Sequence, residues 1–205
     1  MEVNITPRVY PDTPEGRAVG LMNCIAGYFE DAEGAALYRA AVDGLVVAPA
    51  LAEIGSFQGR STVVLGSACR DLECGKVYAV DPHEGRLYRE GKPTEPSLRF
   101  FLENVRRAGL SDWIFPVVRR SREAKLKEPV GLVFVDGLHD YESVREDIGI
   151  ALSWLAPGGT LAFHDYCRAD PGVMWAVDEF LAQGTHEKVS QVDRLLMVKK
   201  KAVGR

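Results

Sequence analysis

The chain has 205 residues, of which 46% are hydrophobic and 26% are charged, and its formal net charge is -4 at pH 7. This length suits one domain with a sizeable core, and the composition is that of a globular protein. The slightly acidic balance does not favour broad electrostatic binding to nucleic acid. The uninterrupted apolar runs fall well short of the ~20 residues that a membrane-spanning helix needs, so we expect no membrane partner.

The first 14 residues are rich in proline and lack the basic start and apolar core of a signal peptide. The four cysteines form no CxxC pair, and the histidines are not spaced around them as zinc ligands. We therefore expect reduced thiols in a cytoplasmic protein.

Two helices are predicted ahead of the main sheet, over residues 15–29 and 31–42, with Asp31 placed to cap the second. We expect residues 1–44 to form an N-terminal arm with accessory helices. These helices act as a lid, as the contact of a homodimer, or only as the cover of a sheet edge. Residues 45–205 are expected to form the main domain.

Beyond residue 45, strand patterns and helix patterns alternate, and two further strands follow. The predicted strands are 48–54, 76–80, 113–118, 130–135, 160–163, 188–192 and 195–198. The predicted helices are 62–70, 98–108, a segment with core positions from Val144 to Leu155, and 173–181. This order predicts a doubly wound α/β domain with a mostly parallel seven-stranded sheet and a C-terminal antiparallel hairpin.

The first strand runs into a glycine turn, EIGSFQGRST, at residues 53–62. Gly55 and Gly59 permit close backbone approach to a ligand, and the helix that begins at Thr62 leaves its first amides free for an anion. Many α/β folds need such a turn merely to reverse the chain. The turn is not GxGxxG and contains no GK[ST], which disfavours nicotinamide and nucleoside-triphosphate ligands.

The second strand ends at Asp81, where an acid can accept both hydroxyls of a ribose. A solvated turn residue before Pro82 is the alternative. Residues 82–96 form a polar loop long enough to be a lid. Its charged and aromatic side chains either touch an acidic substrate or are simply solvated: Arg86, Tyr88, Arg89 and Lys92.

Residues 130–166 read as strand, crossover helix and strand. Asp136 and Asp165 follow the two strands, and parallel neighbours end at the same edge of a sheet, so the two carboxylates can come close together. His139 lies one turn beyond Asp136, and His164 precedes Asp165. Two acids and two histidines at the rim of one crevice suggest chemistry.

These segments resemble the class I S-adenosylmethionine-dependent methyltransferases, which have a Rossmann-like sheet. The resemblance is closest to the metal-dependent small-molecule O-methyltransferases of the catechol and macrolide-sugar types, and it covers residues 31–199. EIGSFQGRS is similar to the first motif of the family, and the acid of VYAVDP to its ribose-binding acid. FVDGLHDY and FHDY are similar to the segments that carry the metal ligands and the base.

The resemblance implies S-adenosylmethionine as cofactor. The cofactor-binding residues it implies are Glu53, Gly55, Phe57, Gly59, Ser61, Asp81, Ser121 and Asp136.

The resemblance also implies a divalent metal, Mg²⁺ or Mn²⁺, held by Asp136, His164 and Asp165, with His139 as the general base. His164 departs from the family pattern, in which Asn, Glu or Asp is usual. Imidazole suits Mn²⁺, Fe²⁺ or Zn²⁺ better than Mg²⁺. His164 therefore ligates a softer metal, points away, or marks the loss of the metal, and His139 could merely cap the following helix.

The function that the resemblance implies is methylation of a hydroxyl on a small-molecule acceptor. A sugar or polyketide-like diol is the first expectation and a catechol the second. Three alternatives stay open: a metal-independent methyltransferase that uses His139 and His164, a non-catalytic protein that binds S-adenosylmethionine or a nucleoside, and another reaction such as oxygenation on the same fold.

Overall fold

The computed structural model describes residues 10–85 and 95–201, and every structural statement below concerns these residues. Arg86, Tyr88, Arg89 and Lys92 of the predicted lid lie outside them. The strands are β1 Leu51–Ile54, β2 Val77–Val80, β3 Ile114–Val117, β4 Val130–Val135, β5 Leu155–Phe163, β6 His186–Val192 and β7 Leu195–Lys200. The helices are α1 Pro14–Met22, α2 Asp31–Val47, α3 Thr62–Asp71, α4 Leu98–Arg107, α5 Tyr141–Trp154 and α6 Pro171–Ala182. None of these helices is both long and apolar enough to span a membrane.

The seven strands form one sheet in the order β3-β2-β1-β4-β5-β7-β6. Strands β1 to β5 pair in parallel, whereas β7 is antiparallel to both β5 and β6. The predicted doubly wound sheet with a C-terminal antiparallel hairpin is therefore confirmed. The strand order reverses between β1 and β4, which creates a crevice at the carboxyl ends of these two strands.

Strand β4 shows why the sheet is covered on both faces. All six of its residues are buried. Leu132 and Phe134 face one hydrophobic cluster, and Val133 and Val135 face the other. A strand with apolar residues on both sides is stable only between two layers of helices.

The two N-terminal helices share a core with the sheet. Leu37 and Ala41 of α2 belong to the same buried cluster as Leu132 and Phe134 of β4. The division of the chain at residue 44 stays a prediction, but α1 and α2 form one packed layer with α3.

Several helices and strands begin or end at other residues than predicted. Helix α1 ends at Met22 rather than at residue 29. Helix α2 is capped from Glu30, whose backbone N–H donates to Glu33 Oε2 at 2.9 Å, and not from Asp31. Strand β5 begins at Leu155 and runs through the predicted break at residues 157–159, because a bulge there absorbs the extra residues.

Candidate active site

Two adjoining cavities lie at the carboxyl ends of the central strands. The β2-side cavity, about 370 Å³, is lined by residues that include Asp81, Pro82, Ser121 and Asp147. The β5-side cavity, about 400 Å³, is lined by residues that include His139, His164, Asp165 and Arg194. Both are lined by Gly55, Phe57, Asp136 and Gly137, so the cavities meet at the point where the strand order reverses.

Gly55 brings the ends of β1 and β4 into direct contact. Its φ is +90°, and its backbone N–H donates to Val80 O at 2.9 Å. A Cβ at this position would lie 2.1 Å from Asp136 O. Only glycine fits here, and it lets the backbone line both cavities.

Asp81 is held at the rim of the β2-side cavity by two backbone amides. Phe57 N donates to Asp81 Oδ2 at 2.8 Å, and His83 N donates to Asp81 Oδ1 at 2.6 Å. A carboxylate oxygen accepts more than one hydrogen bond, so each oxygen keeps acceptor capacity for a ligand. This arrangement fits the ribose-binding position predicted for Asp81.

Glu53 lies beneath the glycine turn and lines neither cavity, and its cofactor contact stays a prediction. It is fully buried, and it accepts hydrogen bonds from Ser61 Oγ at 2.5 Å and from Thr62 Oγ1. Burial raises the pKa of Glu53 to about 8, against the lowering effect of the two hydroxyls. Its place in the structure is to hold the turn and the start of α3.

Two other residues of the predicted cofactor set lie outside the lining of the β2-side cavity. Gly59 lines neither cavity, and its N–H closes the turn on Ser56 O at 2.7 Å. Ser61 lines the β5-side cavity rather than the β2-side cavity.

Ser121 lines the β2-side cavity as predicted, together with an acid that the sequence interpretation missed. Ser121 Oγ donates to Asp147 Oδ1 at 2.5 Å. Asp147 lies on α5 and is buried, and burial raises its pKa to about 6. It lies between Val144 and Ile148 on the inward face of the helix. An acid within that apolar pattern could have indicated a buried polar site from the sequence.

His164 is buried among three carboxylates. Its Nδ1 lies 3.1 Å from Asp136 Oδ1 and 3.4 Å from Asp165 Oδ2, and its Nε2 lies 3.3 Å from Glu33 Oε2. Burial would lower the pKa of His164, but the charge of Asp136 and the hydrogen bonds to all three acids raise it to about 12. An imidazolium has no lone pair for a metal. Without a metal, this arrangement favours the charged form of His164, and the ligand role of His164 stays a prediction.

Glu33 was missed because it comes from α2, far from the other acids in the chain. It is fully buried, and its Oε1 accepts a hydrogen bond from Arg194 N at 3.0 Å. Burial would raise the pKa of Glu33, but its hydrogen bonds and the charge of His164 outweigh burial and lower it. Glu33 thus joins α2 to the turn of the C-terminal hairpin.

Asp165 lies at the end of β5 in a left-handed conformation with φ of +52°. Its Oδ1 accepts a hydrogen bond from Arg194 Nη1 at 2.8 Å, and Arg194 Nη2 donates to Tyr28 O at 2.6 Å. Burial would raise the pKa of Asp165, but the charges of His164, His139 and Arg194 and the His164 hydrogen bond lower it. Asp165 is therefore held as a carboxylate.

His139 lies between two acids at the β5-side cavity. Its Nε2 is 3.1 Å from Asp165 Oδ2, and its Nδ1 is 2.9 Å from Asp170 Oδ1. The alternative helix-cap role belongs to Asp140, whose side chain accepts a hydrogen bond from Ser143 N at 3.0 Å. The structure thus brings His139 together with Asp136 and Asp165, two of the three predicted metal ligands.

The donor set here fits a divalent metal. Ligand atoms of Asp136, His139 and Asp165 all lie within 4.8 Å of one another. Two carboxylates and an imidazole suit Mn²⁺, Fe²⁺ or Zn²⁺ better than Mg²⁺.

Comparisons with known proteins identify the family. A family model described as a methyltransferase domain matches residues 52–166, more than half of the chain. The chain therefore belongs to this methyltransferase family. A viral relative, the uncharacterized protein R132 of Acanthamoeba polyphaga mimivirus, is 29% identical over 142 residues. That match covers 63% of this chain and 58% of the relative, so the chain spans less than two thirds of the relative's length.

Solved structures share the fold at low identity. The O-methyltransferase NovP is 17% identical with a TM-score of 0.72, over 86% of this chain and 84% of NovP. The O-methyltransferase TomG from Streptomyces achromogenes, involved in tomaymycin synthesis and solved in complex with S-adenosylmethionine, is 16% identical with a TM-score of 0.63. That likeness covers 95% of this chain and 92% of TomG.

Proposed function

We propose that this protein transfers the methyl group of S-adenosylmethionine to a hydroxyl of a small molecule. One observation carries the proposal: the β2-side cavity, lined by Asp81, meets the β5-side cavity at Gly55 and Asp136. The β5-side cavity is lined by His139, whose imidazole lies between Asp165 and Asp170. The β2-side cavity then takes the cofactor, and the β5-side cavity takes the acceptor. A sugar or polyketide-like diol is the first choice of acceptor, and a catechol is the second.

The β2-side cavity offers groups that match an adenosine. Asp81 keeps acceptor capacity for ribose hydroxyls, and Asp147 offers a buried carboxyl that can accept a hydrogen bond from the adenine amino group. The close approach of Gly55 to Asp136 leaves backbone, rather than side chain, facing the sulfonium. The same groups give no reason for affinity to NAD or ATP.

Methyl transfer to a hydroxyl requires alignment of the acceptor oxygen with the methyl group and removal of the hydroxyl proton. The sulfonium methyl is already electrophilic, so holding an acceptor oxygen in line with it supplies much of the rate. We assign the proton of the acceptor hydroxyl to the imidazole of His139, because this side chain lines the β5-side cavity. Asp165 beside Nε2 then stabilises the imidazolium that forms.

We propose further that a divalent metal, when bound, is held by Asp136 and Asp165, with a histidine as the third ligand. That histidine is either His139 or His164, and His164 would have to lose its proton to bind the metal. The metal would lower the pKa of a chelated hydroxyl. The balance of charge supports a cation, since three acids, Glu33, Asp136 and Asp165, share the positive charges of His164 and Arg194. A fourth acid, Asp170, contacts His139.

A metal-independent reaction is the second candidate. It is favoured by His164, whose imidazolium already lies between Asp136 and Asp165, where a bridging metal would otherwise balance their charge. Anomalous scattering from crystals grown with Mn²⁺ decides between the two. A manganese peak between the carboxylates supports the metal, and a site without metal together with activity in chelator supports the second candidate.

Turnover of His139→Ala tests the proposed base. We expect methyl transfer from labelled S-adenosylmethionine to a panel of diols and catechols, and a loss of ~10²–10⁴-fold in the variant, the contribution of a general base. Affinity for S-adenosylhomocysteine should hardly change. His186→Ala, which removes a histidine on β6 away from both cavities, is the control and should keep full turnover.

Two results would count against this function. Turnover that survives in His139→Ala would remove His139 as the base. Binding of S-adenosylhomocysteine without transfer to any acceptor would favour a non-catalytic binding protein.

A further inference from the structure

His83 is a buried histidine that the proposed chemistry does not use. It follows Asp81 closely in the chain and belongs to the lining of the β2-side cavity, yet only 4% of it is exposed. Its Nδ1 lies 2.8 Å from Ser97 Oγ, and its ring packs against that of Phe101, with 5.2 Å between the ring centroids. Ser97 and Phe101 are at the start of α4, so the side chain of His83 joins the end of β2 to this helix.

The backbone of His83 orients Asp81. His83 N donates one of the two hydrogen bonds to the carboxylate of Asp81, and Phe57 N donates the other. Both donors have a positive φ, +53° at His83 and +43° at Phe57. This left-handed conformation is costly for residues other than glycine, so it persists only where the surroundings hold the backbone.

Helix α4 supports both donor segments. Phe101 contacts the ring of His83, and a Cβ on Gly59 would lie 3.2 Å from Phe101 Cδ2, so the same phenylalanine also packs against the glycine turn. Asn104 Nδ2 donates to Gln58 O, within the same turn, at 2.9 Å. The first two turns of α4 thus lie behind both segments whose amides hold the ribose-binding acid.

The ring of His83 acts on Asp81 through the backbone and not through its own charge. Its Nδ1 is 3.8 Å from Asp81 Oδ1, which is beyond hydrogen-bonding distance. Burial lowers the pKa of His83, although the charge of Asp81 acts to raise it, so the imidazole is largely neutral at pH 7. The influence of the ring on the carboxylate therefore passes through the amide of His83.

We propose that His83 is a positioning residue for cofactor binding, which keeps the carboxylate of Asp81 directed at the ribose hydroxyls. The ring, held by Ser97 and Phe101, keeps the backbone of His83 left-handed and its amide on Asp81 Oδ1. Without the ring, the segment after β2 loses its attachment to α4, and the acid is free to turn away from the ribose. This role rests on the proposed function, since it takes S-adenosylmethionine as the cofactor and Asp81 as its ribose-binding acid.

The preference for the ribose hydroxyls measures this role without an acceptor. We would determine by calorimetry the affinities for S-adenosylhomocysteine and for its analogue that lacks both ribose hydroxyls. The wild type should bind S-adenosylhomocysteine ~10–100-fold more tightly than the analogue, the range for hydrogen bonds to a charged group. His83→Gly should lose most of this preference. Glycine adopts a positive φ without cost, so the loss would come from the missing ring and not from strain.

Ser97→Ala tests the same contact from the side of α4. Ser97 occupies the N-cap position of the helix, but its side chain makes no capping hydrogen bond, so the substitution removes no cap. We expect it to lower the preference less than His83→Gly does, because His83→Gly also loses the contact with Phe101. Ser190→Ala, at an exposed position of β6, is the matched control and should keep the wild-type preference.

The ratio of the two affinities separates positioning from a loss of stability. A variant that only lowers the stability of the fold changes both affinities alike and keeps their ratio. Adding His83→Gly to Asp81→Ala should leave the ratio of Asp81→Ala unchanged, because both substitutions act on the same hydrogen bonds to the ribose.

The outcomes also distinguish this role from the proposed function. A wild-type ratio in both His83→Gly and Ser97→Ala overturns the positioning role, whatever the thermal stability of the variants. Equal affinities of the wild type for the two ligands remove Asp81 from the ribose, and the role of His83 with it. A wild type that binds neither ligand refutes the cofactor itself, and thus the proposed function.

Discussion

Glu53→Gln should make the stability of this protein less dependent on pH. Glu53 is fully buried beneath the glycine turn, and burial together with the charges of Asp136 and Asp81 raises its pKa from 4.5 to about 8. The carboxyl of Glu53 therefore loses its proton less readily in the folded protein than in the unfolded chain. Glutamine keeps the shape of the protonated acid but never ionises.

The sign and size follow from the two pKa values. Because the pKa of Glu53 is higher in the folded state, protonated Glu53 contributes to the free energy of unfolding. This contribution is fully present below pH 4.5 and is lost as pH rises from 4.5 to about 8. Each unit of difference is worth about 1.4 kcal/mol. Between pH 5 and pH 8 the free energy of unfolding of the wild type should fall by on the order of 3–4 kcal/mol relative to that of Glu53→Gln.

Urea denaturation of both proteins at pH 5, 6, 7 and 8 measures this difference. Ser61 and Thr62 must rearrange around the amide, which adds an offset that does not depend on pH, so only the slope is informative. Glu187→Gln, on the exposed side of β6, is the control and should run parallel to the wild type. A constant difference between wild type and Glu53→Gln across this pH range would refute the reasoning.

Three further predictions concern the turn and its attachments. Asp81→Ala should weaken binding of S-adenosylhomocysteine by about 1.5–3 kcal/mol in calorimetry, the range for a hydrogen bond to a charged group, and unchanged affinity would contradict the ribose assignment. Gly55→Ala should destabilise by at least about 2 kcal/mol in urea, because its φ is positive and its Cβ would meet Asp136 O. Gly149→Ala, on an open face of α5, should instead be neutral or stabilising by up to about 1 kcal/mol, and equal effects at both glycines would contradict the steric argument. Arg60→Met should lower the free energy of unfolding by about 2–5 kcal/mol, because Arg60 donates to three backbone carbonyls between Met22 and Phe29. Arg99→Met, at an exposed position of α4, should change it little.

The order of elements could be predicted from the sequence because it depends on neighbours in the chain. Apolar runs, helical periods and glycine turns identify strands and helices locally, and the strand–helix–strand unit implies parallel pairing. The meeting of Asp136 and Asp165 at the ends of β4 and β5 followed from this topology alone, since parallel strands end at one edge. Pro157, Gly158 and Gly159 misled the prediction, because a bulge lets a strand continue where local preference suggests a turn.

The partners of each acid were decided only by the tertiary structure. Glu33 reaches His164 across 131 residues of sequence, and Asp170 reaches His139 across 31. Sequence patterns are local, whereas a hydrogen-bond partner and a pKa depend on which side chains packing brings together and on how far water is excluded. For the same reason the sequence did not show that the hydroxyls of Ser61 and Thr62 both donate hydrogen bonds to the buried carboxylate of Glu53.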